Sequence, residues 1–464
     1  MKFLPSKTIL VIALSGLVLT GCANITTQEE AATVARESLP DAPPAWKMAQ
    51  ENVGDVQVGW IASFNDPVLS ALVEEAQLNN RDLRAAAANV ESSLALSRQA
   101  GAALSPQVDL VAGTNSGGPL EGGGGTNTSY NVGLQLNWEI DVWGRIRAGE
   151  QAAIASAQAA EADYVFAQYS IAAGVAQAYF IAIEAGLQES IAEDTLEALT
   201  EITRIVQVQY DNGLANSQDL ALTKSDLASA QDTVEAAGGS RRDALRALEV
   251  LLGRYPGADL DVREALPTPP PPPPAGVPSE ILERRPDVIS AERTVAAAFN
   301  SLDQAKAARM PRIALTSSVG GASTDLSEIF DPRNVAWNIV GNLAAPLIDG
   351  GQRQAQVEIA NADQEAAVAA YGQTALDAFA EVESALDQGT VLAKRRAALE
   401  DSAKQAQEAL RVARLRYNEG ETDLIDVLSI QQRVFGAESN LASVQRLILD
   451  QRVGLNLALG GSWK

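Results

Sequence analysis

Apolar residues between Pro67 and Leu104 recur at steps of three and four, at Leu69, Leu72, Val73 and Ala76 and again at Leu83, Ala87, Val90 and Leu94. That period predicts a helix with one buried face, and Pro106 ends it. The period then drops to two. Tyr130, Val132, Leu134, Leu136, Trp138 and Ile140 fall on one face, and Asn131, Gly133, Gln135, Asn137 and Glu139 on the other. Alternation of this kind predicts strands, placed over about 106–116 and 129–142 with Gly117-Gly118 and Gly122 to Gly125 between them. From Arg145 to Tyr210 there is no proline, and the steps of three and four return at Val165, Tyr169, Ala172, Ala176, Tyr179, Ile183, Leu187 and Ile191. One continuous helix over that run spans about 100 Å and needs neighbours along its whole length. A turn at Tyr210–Gly213 reverses the chain into a second helix, from about Ser217 to Leu252.

The same order then repeats. A helix from Ser279 stops before Pro311, strands follow over about 311–320 and 335–348, and Arg353 to Tyr417 is again free of proline. Trp337, Ile339, Gly341 and Leu343 alternate with Asn338, Val340 and Asn342. Tyr210 and Tyr417, Gly213 and Gly420, Asp219 and Asp426, and Gly253 and Gly460 each stand 207 residues apart. Two tandem units are expected, 67–253 and 279–464, each ordered helix–strand–strand–long helix–helix. Between them a linker over 254–278 carries Pro267, Pro269 to Pro274 and Pro278, a stiff extended spacer.

The N-terminus sets the compartment. Lys2 and Lys7 flank a short apolar run, Thr8 to Thr20, which reads as an export signal over 1–21. It ends at Leu19-Thr20-Gly21-Cys22, with the chain's one cysteine. This resembles the bacterial lipoprotein box, which implies lipid attachment at Cys22, and Ala23 in place of aspartate favours the outer membrane. Residues 22–66, with Pro40, Pro43 and Pro44, read as an extended lipidated tether.

Composition narrows the chemistry. The chain has 464 residues, 46% hydrophobic but only 5% aromatic, which suits long helices packed side by side. With no histidine and one cysteine, most metal-site and nucleophile–histidine chemistry is removed; no catalytic, cofactor or metal residue is assigned. A net charge of −24 argues against nucleic acid as a partner. The strand alternation fits either a soluble sheet on a core or a membrane barrel; the export signal and lipid box favour the barrel, with Tyr130, Leu134, Trp138 and Trp337 facing lipid. Four strands cannot close a barrel, since fillable interiors begin near about eight, and open edges are not tolerated in lipid. Several chains must share one.

Four stretches are similar to the TolC/OprM-type outer-membrane efflux family, specifically its NodT-type lipoproteins. They are Trp138-Glu139-Ile140-Asp141-Val142-Trp143-Gly144-Arg145, Gly276-Val277-Pro278-Ser279 leading into Glu283-Arg284-Arg285-Pro286-Asp287-Val288, Pro346-Leu347-Ile348-Asp349-Gly350-Gly351-Gln352-Arg353, and Leu459-Gly460-Gly461-Ser462-Trp463. The resemblance implies a mainly α chain that trimerises into a 12-stranded outer-membrane β-barrel continued by a periplasmic α-helical barrel. It implies an exit duct that does no chemistry itself and works with a periplasmic adaptor (membrane fusion protein) and an inner-membrane resistance-nodulation-division pump.

In that family the two helix–turn–helix tips nearly close the periplasmic end. The resemblance places Tyr417 and Asp426 of the second repeat, and Tyr210 and Asp219 of the first, at this gate. Gly213, Leu214, Gly420 and Glu421 form the turns expected to meet the adaptor. A second aspartate and a latch arginine found in some members are replaced by Ser429 and Thr422; Arg414 and Arg416 lie one turn earlier as substitutes. The residues have a purely local reading too. Gly213 and Gly420 look like left-handed helix ends, and Asn216 and Asp423 like N-caps that set Asp219 and Asp426 at the third helical position. Alternatives in other classes are an exit duct for type I protein secretion, a metal-ion efflux duct, and a periplasmic coiled-coil structural lipoprotein.

Overall fold

The computed structural model describes residues 25–39, 42–48, 59–119 and 125–463. The signal over 1–21 and Cys22 lie outside the described residues. The chain divides into two compact units, one of Met1–Pro40, Ala88–Glu161 and Ser290–Gln373, the other of Asp41–Ala87, Ala162–Ile289 and Thr374–Lys464.

In chain order the main elements are α1 (Gln28–Glu37), α2 (Pro67–Asn79), α3 (Arg81–Ala102), β1 (Gln107–Gly117), β2 (Asn127–Ile140), α4 (Arg145–Asp211) and α5 (Ser217–Leu251). Then come α6 (Pro286–Ala307), β3 (Arg312–Ser323), β4 (Val335–Ala344), α7 (Gln352–Asn418) and α8 (Leu424–Ala458). The duplication extends to length: α4 and α7 both have 67 residues, and α5 and α8 both have 35.

The first unit carries the sheet. Its strands are antiparallel in the order β1-β2-β3-β4, so among the described residues β1 and β4 each keep one unpaired edge. Register puts Leu110, Leu134, Val319 and Trp337 in one row across all four strands. Opposed residues share a face, and this apolar row is 74%, 49%, 45% and 75% exposed. The next row on the opposite face is Asp109, Gln135, Ser318 and Asn338. Gly133 stands opposite Gly320, and a Cβ at Gly320 would lie 2.4 Å from the Val132 carbonyl oxygen; only glycine fits that close approach.

Both alternating runs end as strands earlier than their pattern suggests, because a carboxylate turns the chain. Asp141 accepts from the amides of Ile146 and Arg147 at 3.0 Å each, opening α4. Asp349 accepts from Gly351 and Arg353, at 3.1 and 3.3 Å, before α7. Trp138 Nε1 donates to the Leu104 carbonyl and Trp143 Nε1 to that of Pro311, tying the base of the sheet to the ends of α3 and α6.

One expectation is corrected here. The stretch 22–66 is not simply extended: it holds α1, opened by a reciprocal capping box between Thr27 and Glu30. The Thr26 amide and hydroxyl both donate to Asp303 on α6. Residues 60–64 form a 3₁₀ turn whose Trp60 and Phe64 are buried.

The second unit has its largest apolar core where α2, α4, α5 and α8 meet, around Trp60, Phe64, Tyr179, Phe180, Leu248 and Val453. The buried Asp66 caps α2 through the amides of Val68 and Leu69, accepts from the Tyr179 hydroxyl, and pairs with Arg263 at 3.2 Å. Burial, with the Asp66 charge adding to it, pushes the Tyr179 phenol well above its ordinary range. Helices α4, α5, α7 and α8 all end in the same paired pattern. In it the glycine amide bonds three residues back and the next amide five back: Gly213 to Tyr210 and Leu214 to Gln209, Gly420 to Tyr417 and Glu421 to Arg416.

Candidate functional site

The duplicated turns bring together the sequence-predicted residues. Gly213 and Gly420 have φ of +73° and +77°, the left-handed conformation that glycine adopts without a Cβ penalty. Among the described residues nothing beyond their chain neighbours stands within 4 Å of where their Cβ would be, so backbone conformation alone demands glycine there. Leu214 is 81% exposed; Gly420 and Glu421 are exposed too.

The two hairpins of one chain pack on each other. Leu199, Val206 and Leu220 from the first share a cluster with Leu424 and Leu428 from the second. Leu410, Ala413, Val427 and Val434 form a neighbouring cluster. Tyr417 packs against both, and its hydroxyl donates to Gln209 Oε1 at 3.0 Å. Burial raises the Tyr417 phenol above its ordinary range, and the nearby Asp219 carboxylate pushes the same way, while the Gln209 bond works against both. Tyr417 therefore ties the two hairpins together near their tips within one chain. Its counterpart Tyr210 is 42% exposed.

The two aspartates differ in the opposite sense. Asn216 caps α5 by accepting from the Asp219 amide at 2.9 Å, and Asp219 is half-buried. Asp423 takes the capping position of α8 by its backbone, but its side chain makes no capping bond; the Asp426 amide donates instead to the Asp423 carbonyl. Asp426 is exposed and accepts from Thr422 Oγ1 at 2.8 Å. Ser429 turns back to the Asp426 carbonyl. Arg414 donates to Gln431 on α8 at 2.7 Å and Arg416 faces Glu421 across its own turn at 3.6 Å. Both are thus used inside the second hairpin.

Two partners escaped the sequence reading. Gln209 stands one residue before Tyr210 with no distinguishing local pattern, and its bond to Tyr417 spans 208 residues. Thr422, read as a gap where a latch arginine would stand, holds the Asp426 carboxylate. Among the described residues no His/Cys/Asp/Glu group is arranged to hold a metal. Of the lipid-face candidates, Leu134 and Trp337 lie in the exposed apolar row. Trp138 is half-buried against Leu104, and Tyr130 is half-buried opposite Thr114 and Ser323.

Compared with known families, residues 72–254 and 277–461 match the family described as outer membrane efflux protein. The chain belongs to the outer membrane efflux protein family. The two matched stretches lie on either side of the run Pro269 to Pro274. The chain is 30% identical over 460 residues to the cation efflux system protein CusC of Escherichia coli O6:H1 (strain CFT073), covering 97% of each. It is 30% identical over 440 residues to the pyoverdine export outer membrane protein OpmQ of Pseudomonas aeruginosa PAO1, covering 91% of this chain and 92% of OpmQ. Among solved structures it matches the outer-membrane channel OprN with a TM-score of 0.83 at 29% identity, over 92% of this chain and 99% of OprN. Family membership makes it an outer-membrane component of efflux, a transport protein.

Proposed function

We propose that three copies of this chain form the exit duct of a tripartite efflux pump, lipid-anchored at Cys22. Each copy contributes four strands to a 12-stranded barrel, and the open edges of β1 and β4 pair between copies. The exposed row of Leu110, Leu134, Val319 and Trp337 faces lipid, and the row from Asp109 to Asn338 faces the lumen. Helices α4, α5, α7 and α8 line the periplasmic duct, and the duplicated turns form its inner mouth. There Gly213, Leu214, Gly420 and Glu421 meet the adaptor, which couples the duct to an inner-membrane pump of the resistance-nodulation-division type.

The observation that carries the barrel is the exposed apolar row together with two unpaired edges. A soluble sheet would bury that row, whereas a barrel wall must present it to lipid. Cargo is assigned at the level of small toxic molecules or ions: relatives named for cation efflux and for pyoverdine export stand at the same identity, which supports a passive duct fed by its partners. At the mouth, the exposed Asp426 repeats three times around the aperture and attracts cations, Tyr417 holds the hairpins of each chain together through Gln209, and Asp219 stands half-buried beside it.

Purified protein in planar bilayers tests the duct. Stepwise channel conductance from a trimeric species is expected; a soluble monomer without conductance would refute the reading. Labelling with radioactive palmitate should be lost in Cys22→Ser, and persistent labelling would remove the anchor.

A further inference from the structure

In the second unit, a cavity of about 270 Å³ opens between α7, α8 and the proline-rich linker. Its apolar wall is made by Leu386, Leu455, Pro272 and Pro273, and its charged groups are Arg452 and Lys394. Among the described residues no acidic side chain lines it. Arg452 Nε donates to the Pro270 carbonyl and Nη1 to Gln451 Oε1; Nη2 donates to nothing among the described residues, and neither cation has a carboxylate partner there. Burial holds the Arg452 guanidinium below its ordinary range, with no neighbouring charge offsetting it. A half-buried guanidinium without a counter-charge is costly. It is also unexpected in a chain with 59 acidic residues to 35 basic.

The fold does not require it. Helices α5 and α8 share one register at an offset of 207, and Arg452 stands at the station that Leu245 occupies, buried, in the first repeat. The second repeat has thus exchanged a core leucine for a cation facing a cavity. Gly389 adds to this, since a Cβ there would lie 3.1 Å from Gln451 Nε2 and 3.6 Å from Arg452 Nη1.

We propose that this pocket binds an amphiphilic anion, a carboxylate or phosphate head on a small apolar body. The head meets Arg452 Nη2 and Lys394, with the Thr390 hydroxyl beside them, and the body lies against the leucine and proline wall. A fixed guanidinium in a partly dehydrated site attracts an anion more strongly than a surface charge does, its fork suits both head groups, and the exposed Lys394 stands at the rim.

Calorimetric titration of the purified full chain in neutral detergent tests this, with phenyl phosphate, benzoate, inorganic phosphate and benzyl alcohol as probes. Phenyl phosphate or benzoate should bind saturably, inorganic phosphate at least tenfold more weakly, and benzyl alcohol not at all. Arg452→Leu, which restores the first-repeat residue, should weaken binding at least tenfold, and Lys394→Gln by about threefold. No saturable binding, equal binding by Arg452→Leu, or equal affinity for inorganic phosphate would overturn the proposal. Melting of the ligand-free protein separates the main rival. An anion pocket leaves the Tm of Arg452→Leu unchanged or raised; a lowered Tm without anion binding would mean that a neighbouring chain's carboxylate pairs with Arg452, and would also overturn it.

Discussion

Asn80 and Arg285 occupy the same place in the two repeats, and they satisfy it by different chemistry. Asn80 Nδ2 donates to the Leu251 carbonyl at the end of α5, while its Oδ1 accepts from the amides of Asp82 and Leu83. Arg285 Nη1 donates to the Ala458 carbonyl at the end of α8, and the same guanidinium pairs with Asp287 and Glu381 at 2.6 Å each. Behind each, a glycine ends the helix: a Cβ on Gly253 would lie 2.6 Å from the Asn79 carbonyl oxygen, and one on Gly460 would lie 3.2 Å from that of Arg284. The backbone contact is therefore what the duplication preserves. One repeat closes it with a neutral amide, the other with a buried arginine that reaches two more exposed carboxylates. The Arg284-Arg285-Pro286-Asp287 block that marks the second repeat in sequence is thus a helix-junction device.

The difference should show most in what a truncation leaves behind. Arg285→Met strands Asp287, Glu381 and the Ala458 carbonyl, and should cost about 3–5 kcal/mol in denaturant unfolding. Asn80→Ala removes a cap and one bond and should cost about 1–2 kcal/mol. Equal losses would erase the contrast. Next come the glycines. Gly253→Ala meets both a positive φ and the Asn79 carbonyl, so about 2–4 kcal/mol is expected. Gly213→Ala, with open space around it, should cost about 1 kcal/mol.

A third pair separates the repeats by pH. Asp450 shares Arg446 with Glu184, and burial first, with Glu184 adding to it, raises its carboxyl to about 6 against the pull of Arg446. Its counterpart Asp243 is exposed beside Arg246. A raised folded-state value means the contribution is complete below the unfolded value and lost as pH rises through about 6. Between pH 7 and pH 5 the wild type should gain about 1 kcal/mol from this group. Asp450→Asn should remove that gain from the melting profile, and Asp243→Asn should keep it. The smallest contrast is at the caps: Asn216→Ala should cost about 1 kcal/mol, whereas Asp423→Ala, which loses no capping bond, should stay within about 0.5 kcal/mol.

What could be read before the structure followed from local rules. Alternation from Tyr130 to Ile140 announces a strand whatever lies beside it, and the matched spacing of Tyr, Gly and Asp at both turns announces a duplicated hairpin. The glycine helix ends at Gly213 and Gly420 follow from backbone sterics alone. The strand ends were read too long because Val142 and Leu347 continue an apolar pattern, while Asp141 and Asp349 have already turned the chain to cap a helix. Helix α1 was hidden in a proline-bearing stretch, although Thr27 and Glu30 have capping-box spacing. At the duplicated turns, the residue types are legible but their partners are not. The bond from Tyr417 to Gln209 depends on how two hairpins pack, and no local pattern encodes it. The same holds for Arg285, whose charge reads as surface in sequence and is buried in the fold.

The central claim is that the duplicated turns form a channel mouth in which the second aspartate faces the aperture and the half-buried first one does not. Single-channel recording of purified trimers in planar bilayers, under a salt gradient, tests it most directly. The account predicts that Asp426→Ala lowers cation selectivity while Asp219→Ala leaves it unchanged. Unchanged selectivity in Asp426→Ala, or a loss confined to Asp219→Ala, would contradict it.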